Sequence, residues 1–388
     1  MSDKTPDVDK IKKIVLVGNG FDLAHGYKLR FRDFIYHLLN KIIDDVLYNQ
    51  YYQSPFLTLQ SHNSLDNIDA YDKFKEEPLK RLAEVNKDQL LSVFDKGDLF
   101  KALSEQINVE NWIDLEDIYF KQLYQIVSSN LSEKGIKASI KELNSEMEYL
   151  RAELQEYIKS EMHEITRGSG NDVYRQLTDY INKNDGFISD NIPDSIRPEN
   201  YMFINFNYTY LLRQYYESMS YEWVEKSSFY NIHGVLDGDD KENGQKMIFG
   251  YGDEKNKSYI EFEERKAPKE AYQLIKSYKY LEARTYQKIT RELKEKPFQV
   301  ILMGHSCGDS DRTFLRTLFN HENCRSIKIY YYKNPETGTD DYFDKSLAIS
   351  MCFDDKEKFR ERVLNKKDCE PMSQVLDFAA KNQKTPIT

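Results

Sequence analysis

The apolar positions of this chain follow two rhythms. Near the start, Ile14-Val15-Leu16-Val17 is an unbroken aliphatic run that ends on Gly18-Asn19-Gly20. A short run that is apolar at every position fits a strand buried on both faces of a parallel sheet. Just beyond it, Phe31, Phe34, Ile35, Leu38, Leu39, Ile42, Ile43, Val46 and Leu47 form a one-sided helical stripe. The opening therefore reads strand, glycine turn, helix.

The strand rhythm returns at 201–207, 229–233, 247–249, 299–303 and 327–332. Helices are predicted from Tyr208 to Ser218, from Lys269 to Lys294, after an N-cap at Ser310 or Asp311, and from Lys356 to Lys381. Between about 70 and 183 no strand-like run is seen. Spaced Leu, Ile, Met and Tyr stand among Glu and Lys instead, as in Lys134 to Met162, and the whole stretch reads as helical. Alternating strands and helices give an α/β class with a mostly parallel sheet covered on both faces, interrupted by a large all-helical insertion. The expected divisions are 1–69 and 196–355 for the core, 70–195 for the insertion and 356–388 for a C-terminal helix.

Composition agrees with a modest sheet core and much exposed helix. Apolar residues make up 40% and charged residues 31%, against about 25% charged in an ordinary domain. The net charge of −10 disfavours nucleic acid as a partner through the bulk field and favours a small molecule or a protein. No run reaches the roughly 18 apolar residues of a membrane span, and MSDKTPDVDKIKK carries no apolar leader, so a cytoplasmic protein is expected. Cys307, Cys324, Cys352 and Cys369 lie at wide, unrelated spacings, which suits reduced thiols and supports neither a disulfide scaffold nor a CxxC metal site. The acidic helical block is expected to serve first as a homo-oligomer interface.

Candidate chemistry gathers where strands end. Gly18-Asn19-Gly20-Phe21-Asp22, with His25-Gly26 behind it, stands at the exit of the first strand, where open α/β sheets bind ligands. The third glycine of a dinucleotide fingerprint is replaced by Leu23, so a tight turn without a ligand is the competing reading. Asn205-Phe206-Asn207-Tyr208-Thr209 puts two amides at a strand mouth, either for ligand hydroxyls or as a helix cap. His233, before Gly234, is placed to act as a general base or as a structural hydrogen-bonding group. Phe249-Gly250-Tyr251-Gly252-Asp253 repeats the pattern of strand then glycine. Gly304-His305-Ser306-Cys307-Gly308 matches a nucleophile elbow, but the only later histidine, His321, leaves no room for an acid strand between them. Asp309 and Asp311 suit either ribose hydroxyls or plain capping. Asp22, His25, His233, His305, Asp309 and Asp311 also compete as a divalent-metal set, without any close-spaced ligand pair; no metal is expected.

Together Val17-Gly18-Asn19-Gly20-Phe21-Asp22-Leu23, His25-Gly26, Trp112-Ile113-Asp114-Leu115-Glu116, Asn205 to Thr209, Ile232-His233-Gly234 and Gly304 to Asp311 resemble the AbiH family of phage abortive-infection proteins. That family is similar to the sirtuin-like (SIR2-like) NAD-binding superfamily with its Rossmann-like core. The resemblance implies an antiphage effector that hydrolyses NAD or a related nucleotide at the nicotinamide–ribose bond, with a phage-encoded trigger. It places Gly18, Asn19, Gly20 and Phe21 at the diphosphate, and Gly304, His305, Ser306, Asp309 and Asp311 toward the adenosine half. Asn207, His233 and Asp22 become the catalytic set. The sequence departs from the sirtuin pattern at Asn19 and Asp22 and has no zinc-binding cysteine quartet, which argues against deacylation. A non-catalytic nucleotide sensor and a metal-dependent nuclease or phosphatase are the alternatives.

Overall fold

The computed structural model describes residues 11–49, 52–59, 94–105, 112–162, 171–185, 194–236, 246–254 and 256–375. The chain forms two compact units. The first comprises residues 1–27, 162–248 and 280–388, and the second 28–161 and 249–279.

The strands, in chain order, are β1 Lys12–Val17, β2 Leu57–Leu59, β3 Phe94–Lys96, β4 Ile181–Asn182, β5 Ser195–Ile196, β6 Asn200–Asn205, β7 Ser227–Asn231, β8 Phe298–Met303, β9 Cys324–Tyr331 and β10 Glu370–Pro371. The first unit is built on a six-stranded sheet of order β10-β9-β8-β1-β6-β7. All of its pairings are parallel, as the strand-helix alternation predicts. The chain grows outward from β1 through β6 and β7, then returns to the other side of β1 with β8, β9 and β10. That reversal is a topological switch point, and ligands of open α/β sheets bind at the carboxyl ends there.

The two faces of the sheet differ. Ile14 and Leu16 of β1, Val300 and Leu302 of β8 and Ile327 and Ile329 of β9 join one aliphatic core with Ile289, Leu293, Phe314, Leu315, Leu318 and Phe319 from the covering helices. Across the sheet, the positions that pair with Lys13 include Gln299, and Gln299 in turn pairs with Ser326. There Gln299 donates from Nε2 to Asp185 at 3.1 Å and to Ser326 at 3.1 Å. β1 also begins two residues before its apolar run. Lys12 and Lys13 are 1% exposed. Lys12 pairs with Glu292 at 3.0 Å and Glu295 at 3.3 Å, and Lys13 donates to the Asp179 carbonyl at 2.5 Å. Buried charge is tolerated where such partners exist, which is why hydropathy alone truncates this strand.

In the second unit the stripe from Phe31 forms the helix Phe31–Asn49. The helices Trp112–Val127 and Glu133–Glu161 pack with Leu115, Tyr119, Leu123, Leu143, Met147 and Leu150 buried. Glu146 caps the neighbouring helix Asp98–Glu105 by accepting from the Leu99 and Phe100 amides at 3.1 and 3.3 Å.

Several predicted elements differ. Phe94–Lys96 pairs antiparallel with Leu57–Leu59 inside the stretch read as wholly helical; three residues are too few to show a period. Among the described residues, 247–249 join no sheet: the Ile248 amide bonds to the His233 carbonyl at 2.8 Å beside the isolated bridge Val235–Lys246, and its carbonyl accepts from the Tyr208 hydroxyl at 2.6 Å. The helix expected over 269–294 breaks into Lys269–Tyr272, Lys276–Tyr280 and Thr285–Leu293. The Leu274 carbonyl and the Lys276 amide are drawn out of the ladder to Tyr251 at 3.0 and 2.8 Å. The last helix stops at Arg362, since Leu364 bonds to the Ile327 carbonyl at 3.0 Å and leads the chain toward β10; residues 376–381 of that prediction lie outside the described residues. Among the described residues no helix is long and apolar enough to cross a membrane. The four cysteines are buried and form no disulfide.

Candidate functional site

The loops after β1 and β8 meet at the switch point. Gly18 donates to the Met303 carbonyl at 3.1 Å, Gly20 to Gly304 at 2.8 Å and Phe21 to Gly18 at 2.9 Å. A Cβ on Gly18 would lie 2.7 Å from the His305 Cα, and one on Gly20 2.8 Å from the Gly304 Cα. These glycines therefore serve loop-on-loop packing, and three of the amides expected to face a diphosphate are committed to carbonyls within the protein. Asn19 is half-buried and Ser306 is exposed.

Beneath the glycine loop lies a polar cluster fed by β1 and β6. Asn207 donates from Nδ2 to the Gly18 carbonyl at 3.0 Å, and its own amide donates to Asn205 Oδ1 at 3.1 Å. That turn delays the following helix to Leu211–Ser218, three residues later than its sequence suggests. Asp22 is 1% exposed. Thr209 donates to its Oδ2 at 2.8 Å, and Oδ1 has no hydrogen-bond partner among the described residues. Burial pushes the Asp22 carboxyl up to about 7, against the opposing pull of Thr209 and Asn207.

The second cluster spans the ends of β7 and β8. His233 Nε2 lies 3.0 Å from Asp311 Oδ1, and His305 Nε2 lies 3.5 Å from Asp311 Oδ2. One carboxylate thus faces two imidazoles. The Cys307 amide donates to His305 Nδ1 at 2.9 Å, which leaves the neutral ring's proton on Nε2, toward Asp311. Phe206 stands edge-on to both rings, at 5.2 Å from His233 and 4.2 Å from His305. Tyr280 stacks parallel to His233 at 6.5 Å. Lys345 donates to the His305 carbonyl at 3.2 Å and pairs with Asp341 at 3.2 Å.

The structure thus brings Gly18, Gly20, Gly304, Asn207 and Asp22 into one cluster and His233, His305 and Asp311 into another. Asp309 is set apart: its side chain is 48% exposed and paired with Arg312. Phe21 packs inward on His25 at 4.6 Å and on Tyr215 at 5.8 Å. His25 braces that packing by bonding to the Phe21 carbonyl at 2.7 Å and to the Tyr215 hydroxyl at 2.8 Å. The segment 249–253 belongs to the second unit. Thr209 and Phe206 were visible only as neighbours of the two asparagines, and Tyr280 and Lys345 carry no local signal.

The nucleophile-elbow geometry is absent. The left-handed residues of that turn are Gly304 and Cys307, whereas an elbow strains the serine itself. His321 packs on Phe298 at 5.8 Å, at the far end of β8 from Ser306. Six strand residues place them roughly 20 Å apart. Among the described residues no group of three or more His, Cys, Asp and Glu has the arrangement of a metal site.

A six-stranded, all-parallel sheet covered by helices, with a His–Asp–His and an Asn–Asp–Thr cluster at the carboxyl ends of its strands, defines a Rossmann-like α/β protein. The sequence matches the family model for bacteriophage abortive infection AbiH over residues 14–333, most of its length, and the chain belongs to that family. No curated protein matches it.

Proposed function

We propose that this abortive-infection protein is an effector whose sirtuin-like core binds NAD and hydrolyses its nicotinamide–ribose bond. The observation that carries the reading is His233 at the carboxyl edge of the sheet, hydrogen-bonded to Asp311 at 3.0 Å. An imidazole held by a carboxylate is a competent general base near neutral pH. Water adds at the ribose carbon as the bond to nicotinamide breaks; nicotinamide leaves with the bonding electron pair, and His233 takes the proton of the water. In this reading Asn207 orients the ribose, and Asp22, buried behind it, assists through Asn207. The loops at Gly18 to Phe21 and Gly304 to Ser306 give the site its shape on the phosphate and adenosine side, where Ser306 is exposed.

A second reading is nucleotide binding without turnover. It is favoured by Asn207, whose amide is already bonded to the Gly18 carbonyl. The test is release of free nicotinamide from NAD by purified protein, with and without EDTA, and survival of phage-challenged cells making wild-type or His233→Ala protein. Release by the wild type that is lost in His233→Ala supports hydrolysis. Equal release by both proteins removes His233 from the chemistry. Tight binding without release supports the sensor, and chelator-sensitive cleavage of a phosphoester with NAD untouched points to the metal-dependent alternative.

A further inference from the structure

In the hydrolysis as written, Asp311 enters only as the hydrogen-bond partner of His233, and His305 on its other oxygen has no part. Asp311 closes the short turn Asp309–Asp311 at the mouth of the helix Arg312–Phe319, where the ordinary task of an aspartate is to cap. Its side chain makes no cap hydrogen bond; it is 12% exposed and lies against His233 and His305.

The structure assigns Asp311 as the positioning residue of this site, a carboxylate that fixes the tautomer and plane of His233 while His305 fixes the carboxylate. The assignment rests on the reading of His233 as the base. A carboxylate only accepts, so His233 must offer Nε2–H to it, and Nδ1 becomes the nitrogen that carries the lone pair and takes the proton. His305 cannot exchange roles with it. Its Nδ1 is occupied by the Cys307 amide at 2.9 Å, so its Nε2–H is directed to the other carboxylate oxygen. One ring is thereby a brace and the other a base.

The charges around the pair support this division. Lys345 is matched by Asp341 and Arg312 by Asp309. The rings facing His233 are those of Phe206, Tyr208 and Tyr280. Asp311 is then the anion that meets an imidazolium as it forms.

The experiment is the titration of His233 by NMR of the ring-labelled full chain, alongside nicotinamide release against pH. In Asp311→Asn the His233 midpoint is expected to fall by about one pH unit, and the acid limb of turnover moves down with it. Turnover itself is expected to drop roughly 100-fold or more, with KM little changed. Asp311→Glu, which keeps the anion, restores the midpoint toward wild type and tests the same idea if the asparagine variant folds poorly. An unmoved His233 midpoint in a folded Asp311→Asn protein overturns the assignment. The titration needs no turnover: a shifted midpoint in a chain that never releases nicotinamide would keep the Asp311–His233 coupling and sink the hydrolase reading alone.

Discussion

Asn207 and Gly18 are joined across two adjacent parallel strands by a 3.0 Å hydrogen bond from the amide Nδ2 to the carbonyl oxygen. This bond makes a residue expected to touch ligand part of the scaffold of the glycine loop. Asn207→Ala removes the donor and is expected to destabilise the first unit by about 1–2 kcal/mol. Asn207→Asp should cost more, because it replaces the donor with an anion facing a carbonyl and lying near Asp22. Denaturant midpoints of the two variants give the order, and an aspartate variant as stable as wild type would refute it.

Asp22 gives the protein a pH-dependent term with a definite sign. Its folded value of about 7 lies above the 3.8 of an ordinary aspartate, so between those pH values the folded chain holds more protons than the unfolded one. Stability from this group is therefore full below about 4 and is lost as pH rises through 7. Asp22→Asn can still accept from Thr209 and has no charge to bury. It is expected to flatten that slope and to be more stable than wild type at pH 8, by thermal melting across the range. A variant with the wild-type slope would place the titration elsewhere.

Much of this was legible from runs of like residues. β1, β6 and β8 are apolar enough to be found by inspection, and the glycine and polar groups that follow them mark the carboxyl ends of these strands. Partnerships were not legible. That Gly18 and Gly20 pack on the loop after β8, that Thr209 holds Asp22, and that Asp311 lies between two histidines depend on strands far apart in sequence becoming neighbours. Lys12 and Lys13 show the same limit from the other side: a strand position is readable from hydropathy only when its burial is apolar.

Two glycines with positive φ separate backbone strain from crowding. Gly26 has φ +82° and a Cβ added there would meet nothing within 4 Å among the described residues, whereas Gly304 has φ +68° and its Cβ would fall 2.0 Å from the Phe21 amide nitrogen. Gly26→Ala should cost only the left-handed conformation, about 1 kcal/mol. Gly304→Ala has to separate the two loops as well and is expected to lose several-fold more, together with ligand binding if the switch point is the site. Comparable melting points for the two variants would show that the loops part easily.

The clearest stability test in the second unit is Glu116, the last residue of the Trp112-Ile113-Asp114-Leu115-Glu116 segment. It pairs with Lys276 at 3.1 Å, with both side chains at most 5% exposed, and accepts from the Gly250 amide at 3.3 Å. Removing one member of a buried pair strands the other charge, so Lys276→Met is expected to destabilise by about 3–5 kcal/mol. Glu116→Gln keeps an acceptor for Gly250 and, combined with Lys276→Met, leaves no net charge behind. The double variant should therefore be more stable than Lys276→Met alone, a coupling that denaturation of the four proteins of the cycle measures directly. Additive losses would mean that Glu116 matters to the Gly250 turn and not to the lysine.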